Sequence, residues 1–155
     1  MNTTWAYASN NFIYSAMALY TLSFLAHAFE TAWAVRAPQS EIAGEEVTKK
    51  KTLDYSRTEK AARLATAFLA LATLLLLAGI ICRGIANGHA PWGNMYEFSI
   101  TGSFAFSAAY LAALRKYDLR WLGLFISFAI LLALGTAITL LYRDSAPLVP
   151  ALKST

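Results

Sequence analysis

Side chains able to do specific chemistry cluster in one short stretch, Gly88-His89-Ala90-Pro91-Trp92-Gly93-Asn94-Met95-Tyr96-Glu97-Phe98-Ser99, with Arg83 just upstream. An imidazole such as that of His89 can ligate haem iron, and flat rings such as Trp92 and Tyr96 can pack on a macrocycle. A guanidinium such as Arg83 or Arg143 can hold a propionate as a charge-assisted pair. The same residues also meet structural needs. Asn94, followed three residues later by Glu97, is close to a capping box, in which the two side chains satisfy free backbone donors reciprocally. A negative charge at Glu97 suits the first turn of a helix. Trp92 and Tyr96 suit a membrane interface, and Pro91 and Gly93 shape a turn. Far upstream, His27 and Glu30 are three residues apart and can hydrogen-bond across one helical turn. An ionisable residue inside an apolar run is a functional candidate, and the alternative for His27 is a hydrogen bond to a Ser or Thr on a neighbouring helix. His27 and His89 are the two histidines and Cys82 is the single cysteine. No zinc signature and no internal disulfide can be assembled from them; no metal ligand is assigned, and His89 and His27 stand as the candidates.

These residues must be held by membrane helices. The chain has 155 residues, 57% of them apolar and 14% charged, with a mean hydropathy of +0.46. Soluble domains carry roughly 25% charged residues, so lipid is the expected solvent for much of this chain. The fold expected is all-α: a single polytopic membrane domain over 1–155, with four transmembrane helices in two hairpins. The spans fall at about 11–35, 64–82, 95–114 and 121–142, each long enough for roughly 30 Å of hydrocarbon. Residues 1–11 lack the basic start and small-residue cleavage site of a secretory signal, so the first run is expected to be retained.

Each run has an internal pattern. In the first, Tyr20, Ser23, His27, Glu30 and Thr31 share a helical face, which should turn toward other helices. Ile13, Met17, Leu22, Phe24, Leu25 and Phe29 are assigned to the other faces. Residues 36–63 read as a solvated loop, with Pro38 and Gly44 against a continuous helix and Lys49, Lys50 and Lys51 placed to meet anionic headgroups. Arg83 ends the second run after the four leucines at 74–77. In the third, Ser99, Ser103 and Ser107 are four apart, as are Ala105, Ala109 and Ala113, a spacing that lets helices approach closely. Ten of the 13 Lys and Arg lie at 36–63 and 115–120. The positive-inside rule makes these the cytoplasmic loops, with the 83–94 loop, the 143–155 tail and both termini outside. The net charge of +4 sits beside apolar runs, which indicates topology and no nucleic acid.

The 89–99 stretch resembles a segment of the CcsA/CcsB/ResC family, the cytochrome c-type biogenesis proteins of system II. Members carry Gly-His-x-Pro-x-x-Asn-x-Tyr-Glu-Ser at the outer end of a transmembrane helix. Gly88, His89, Pro91, Asn94, Tyr96 and Glu97 match it, and Phe98 before Ser99 is similar to the actinobacterial branch, CcsB. The tail Leu148-Val149-Pro150-Ala151-Leu152-Lys153-Ser154 also resembles the family, where it leads into a further helix. The resemblance implies a multi-pass protein of the cell (plasma) membrane that binds or delivers haem to apocytochrome c on the outer face, with a ResB-type partner. The family's Trp-Gly-x-x-Trp-x-Trp-Asp segment and its flanking axial histidines are absent. The resemblance therefore covers an N-terminal half and implies either a fragment, which the ending at Lys153-Ser154-Thr155 favours, or a gene that has lost its catalytic half, with the haem ligands outside this chain and no ligation activity of its own. It leaves His89, Trp92, Asn94, Tyr96, Glu97 and Arg83 as surroundings of a haem site. Two other readings stand beside it: a small transporter or channel subunit with His27 and Glu30 as a proton relay, and a structural subunit of a respiratory membrane complex.

Overall fold

A computed structural model of the chain describes residues 3–36 and 46–141. The described residues form α1 (Thr3–Arg36), α2 (Glu46–Asn87), α3 (Met95–Ala113), a 3₁₀ turn (Arg120–Leu122) and α4 (Gly123–Leu140), with no strand among them. α1 and α2 form the most extensive pair, and α4 packs on α1 and α3.

The burial pattern is that of a bundle built for lipid. Ser9, Ser23, His27, Thr73, Arg83, Glu97, Ser103, Ser107 and Ser127 are buried, while Leu22, Leu25, Leu74, Phe106, Phe125 and Leu132 are exposed. Without a hydrophobic drive between helices, close packing and interhelical hydrogen bonds hold such a bundle. The buried residues of α1 are Ser9, Ile13, Ala16, Tyr20, Ser23 and His27, a three-and-four spacing that winds one seam along α2. Ile13 thus lies on the polar seam and not on an outer face.

Hydrogen bonds fix the register of that seam. Ser9 Oγ donates to the Gly79 carbonyl at 2.7 Å, and Ser23 Oγ donates to the Ala65 carbonyl at 2.8 Å. Between them the Tyr20 hydroxyl lies 3.1 Å from Thr73 Oγ1 and donates to Ser107 Oγ at 3.0 Å, joining α1, α2 and α3. Gly79 permits the close approach: a Cβ there would sit 2.8 Å from Ile13 Cγ1 and 3.3 Å from the Ser9 carbonyl oxygen. Of the two small-residue rows on α3, Ser103 and Ser107 face inward, whereas Ala105 and Ala109 face out.

Helix limits differ from the apolar runs. α1 starts at Thr3, well before residue 11, because Ser9 already belongs to its seam. The 36–63 segment is helical from Glu46 onward. Nothing between 46 and 63 breaks a helix, and Arg63 pairs with Glu59 one turn back at 2.7 Å. Pro38 and Gly44 lie outside the described residues, as does the 143–155 tail. With 42 residues, α2 runs about 63 Å, roughly twice the thickness of a hydrocarbon core. Arg83 does not end α2, which continues to Asn87. Stretches long and apolar enough to cross a membrane occur in α1, α2 and α4, at Thr4–Trp33, Thr58–Asn87 and Arg120–Leu140. α3 falls short because its inward face carries Glu97, Ser103, Ser107 and two tyrosines, Tyr96 and Tyr110.

Candidate functional site

The candidate site is where α2 ends, the 88–94 loop turns and α3 begins. Gly88 closes α2 in the left-handed region, at φ 70°, and its N–H returns to the Gly84 carbonyl at 2.9 Å. Glycine adopts that conformation without a Cβ penalty. Asn94 is the N-cap of α3, its Oδ1 accepting from the Glu97 N–H at 2.8 Å. Half of the expected capping box therefore forms. The other half shifts by one residue: Glu97 Oε2 accepts from the Gly93 N–H at 2.9 Å. Thr101 ties the loop down from α3 by donating to the Pro91 carbonyl at 3.0 Å.

The shift follows from what the Glu97 carboxylate does with its other oxygen. Oε1 accepts from Arg83 Nε at 3.3 Å and from Asn87 Nδ2 at 2.5 Å. Both charged side chains are buried, Arg83 at 1% and Glu97 at 0% exposure. The Arg83 guanidinium also lies 4.5 Å from the centroid of the Tyr96 ring, within reach of a cation–π contact. Tyr96 is consequently buried and is not an interface anchor, whereas Trp92 is 66% exposed, as an anchor would be. Asn87 is not among the residues the sequence singles out. Its signal was position, since it lies one turn after Arg83 on the same face of α2.

His89 is half-buried beside this cluster. Its Nδ1 lies 2.8 Å from the Ala90 carbonyl, which can only accept, so Nδ1 carries a proton there. The ring packs over Gly93, where a Cβ would come within 2.9 Å of His89 Cε1 and 3.4 Å of Glu97 Oε2. Trp92, Met95 and Phe98 are exposed and form an apolar outer edge on the same loop and first helical turn.

The second histidine is elsewhere. His27 is 2% exposed, with Nδ1 3.2 Å from Glu30 Oε2 and with Nε2 buried and without a hydrogen-bond partner among the described residues. The expected pairing with Glu30 across one turn is present, and among the described residues no Ser or Thr side chain of another helix bonds the ring. A Cβ on Gly123 would collide with the imidazole, so α4 begins directly against it. His27 lies one turn beyond Ser23, which bonds Ala65 near the start of the apolar part of α2, while His89 follows the far end of that helix. About 40 Å of helix therefore separates the two imidazoles, and they cannot ligate one iron together. Among the described residues no three His, Cys, Asp or Glu side chains gather as a metal site. Of the six residues expected around one site, Arg83, Asn94, Tyr96 and Glu97 are joined by these contacts, His89 lies beside them over Gly93, and Trp92 follows on the same loop with its side chain exposed. No family model, characterised protein or solved structure matches the chain.

Proposed function

We propose that this chain is a membrane component of cytochrome c maturation, helping to hold or deliver haem for attachment to apocytochrome c on the outer face of the cell membrane. One observation carries the reading. Three residues that match the family motif shape this lip: Asn94 caps α3 by accepting from the Glu97 N–H, Glu97 holds the Gly93 N–H, and Tyr96 lies under Arg83. The spacing of the motif thus has a physical purpose, a rigid lip joining two membrane helices. In this reading α3 is the fourth span, its polar face hidden in the bundle, and the 88–94 loop and both termini lie outside. A ResB-type protein and apocytochrome c are the partners.

Haem is cargo in this scheme, and the lip fits it as a wall rather than as a ligand set. Trp92, Met95 and Phe98 offer exposed apolar surface, and the His89 ring lies half-buried beside them with Nδ1 held by the Ala90 carbonyl. Arg83 is engaged by Glu97 and does not offer its charge to a propionate. By the family resemblance, the iron ligands are assigned to residues other than these. Deleting the gene and staining membranes for covalently bound haem tests the proposal. Loss of the c-type cytochromes with b-type haem retained is the expected result, and unchanged c-type cytochromes overturn it.

The proton-relay alternative has one observation in its favour, the buried His27 imidazole against Glu30. A flux assay on the His27→Ala variant decides it: loss of flux supports a relay, and unchanged flux removes it.

A further inference from the structure

The turn between α3 and α4 carries basic side chains that take no part in the lip. Arg115, Lys116 and Arg120 line an open cavity of about 350 Å³ together with Thr66 of α2, Tyr117 and Asp118. Among the described residues Arg115 and Lys116 form no ion pair, and Arg120 meets only the exposed Asp118, at 3.7 Å. The cavity therefore holds three cations against one carboxylate. Its position is equally specific. Tyr117 and Trp121 are exposed on the same turn, and such aromatics settle at headgroup level. The membrane-competent stretch of α4 begins at Arg120, and Thr66 follows Arg63 by one turn, where the charged part of α2 gives way to its apolar part. Surplus positive charge, the N–H donors of Arg and Lys and the Tyr117 hydroxyl all meet at the border of water and hydrocarbon. That combination complements the oxygens of a phosphate.

We infer that this cavity is a binding site for a phosphate anion, carried on an anionic lipid headgroup or free in solution. The purified chain in detergent is titrated with dioleoylphosphatidylglycerol or with dioleoylphosphatidylcholine, and bound lipid is counted by native mass spectrometry. The wild type should prefer phosphatidylglycerol, and R115Q/K116Q/R120Q should lose about tenfold or more of that affinity. Lys60→Gln, an exposed charge on α2 outside the cavity, should leave it unchanged. Helix content by circular dichroism checks that each variant is folded. If the triple variant is not, Arg115→Gln and Lys116→Gln are read singly for the same loss. Phosphatidylglycerol retained in millimolar inorganic phosphate identifies a lipid headgroup as the ligand. Displacement by phosphate in the wild type, with weaker phosphate binding in the variants, identifies the free anion. Equal affinity for the two lipids, or equal loss in Lys60→Gln and the cavity variants, overturns the inference.

Discussion

Arg83 of α2 and Glu97 of α3 are buried against each other, Nε 3.3 Å from Oε1, across a loop that separates them by 14 positions. Each explains the other's presence. An arginine near the end of an apolar run would ordinarily end the span or reach for headgroups, and a glutamate in the first turn of a helix would ordinarily face water. Here the opposite charge lets both be enclosed. Asn87 and the Gly93 N–H donate to the carboxylate and the Tyr96 ring lies against the guanidinium, which ties α2 to α3 at that end.

Breaking the pair from either side should be costly. Arg83→Met or Glu97→Gln leaves one buried group without its counter-charge, a loss of about 3–5 kcal/mol. The double variant R83M/E97Q removes both charges and should recover much of that loss. Chemical denaturation in detergent, followed by tryptophan fluorescence, measures all three. Additive losses in the double variant would show that the two side chains do not depend on each other.

The cap makes a smaller and more local contribution. Asn94→Ala removes the acceptor for the Glu97 N–H and should destabilise the start of α3 by about 1 kcal/mol. Asn94→Ser keeps an acceptor and should lie close to wild type. Hydrogen exchange at residues 95–98 reads this directly, with faster exchange expected in the alanine variant alone.

How much of this was legible depends on the range of each interaction. The Asn94 cap is local and its spacing announces it. The inward turn of Tyr20, Ser23 and His27 is also legible, since a polar stripe in lipid must face other helices. Ile13 shows where that logic stops. Sorting by polarity sends it outward, yet it is buried on the same seam, because apolar side chains line both lipid and helix contacts in a membrane bundle. The 46–63 segment shows a second limit. Its charges report contact with water, and they carry no instruction against helix, which the backbone there adopts. The Arg83–Glu97 pair is a third. Reading Arg83 as a span end and Glu97 as a capping-box partner treats each within its own helix, and only the turn of the 88–94 loop brings them together. Tyr96 is hidden for the same reason.

Gly79 should tolerate no side chain without rearrangement of α1 against α2. A Cβ 2.8 Å from Ile13 Cγ1 forces one helix to move or Ile13 to leave its rotamer, and overpacking of this kind costs about 1–3 kcal/mol. Ile13→Ala together with Gly79→Ala makes room for the new methyl group and should be less destabilised than the sum of the two single changes. Thermal unfolding of the four proteins in one detergent gives the coupling. A coupling of zero would mean that the helices do not approach at these positions.

Tyr20→Phe isolates the hydroxyl that joins three helices. It keeps the ring, which fills a fully buried position, and deletes the bonds to Thr73 and Ser107. Side-chain hydrogen bonds between membrane helices contribute about 0.6 kcal/mol on average and up to about 1.7. The loss here should lie toward the upper end, because the Tyr20 oxygen stands within hydrogen-bond distance of hydroxyls on two other helices. Thr73 still donates to the Leu69 carbonyl, and Ser107 still donates to the Phe104 carbonyl. Neither hydroxyl is therefore left wholly unsatisfied, which caps the penalty. Thr73→Val in the Tyr20→Phe background should then cost little more, whereas Thr73→Val in the wild type strands one side of the tyrosine hydroxyl. Equal losses for Thr73→Val in the two backgrounds would show that Tyr20 and Thr73 do not share a bond, and the register of α1 on α2 would rest on Ser9 and Ser23 alone.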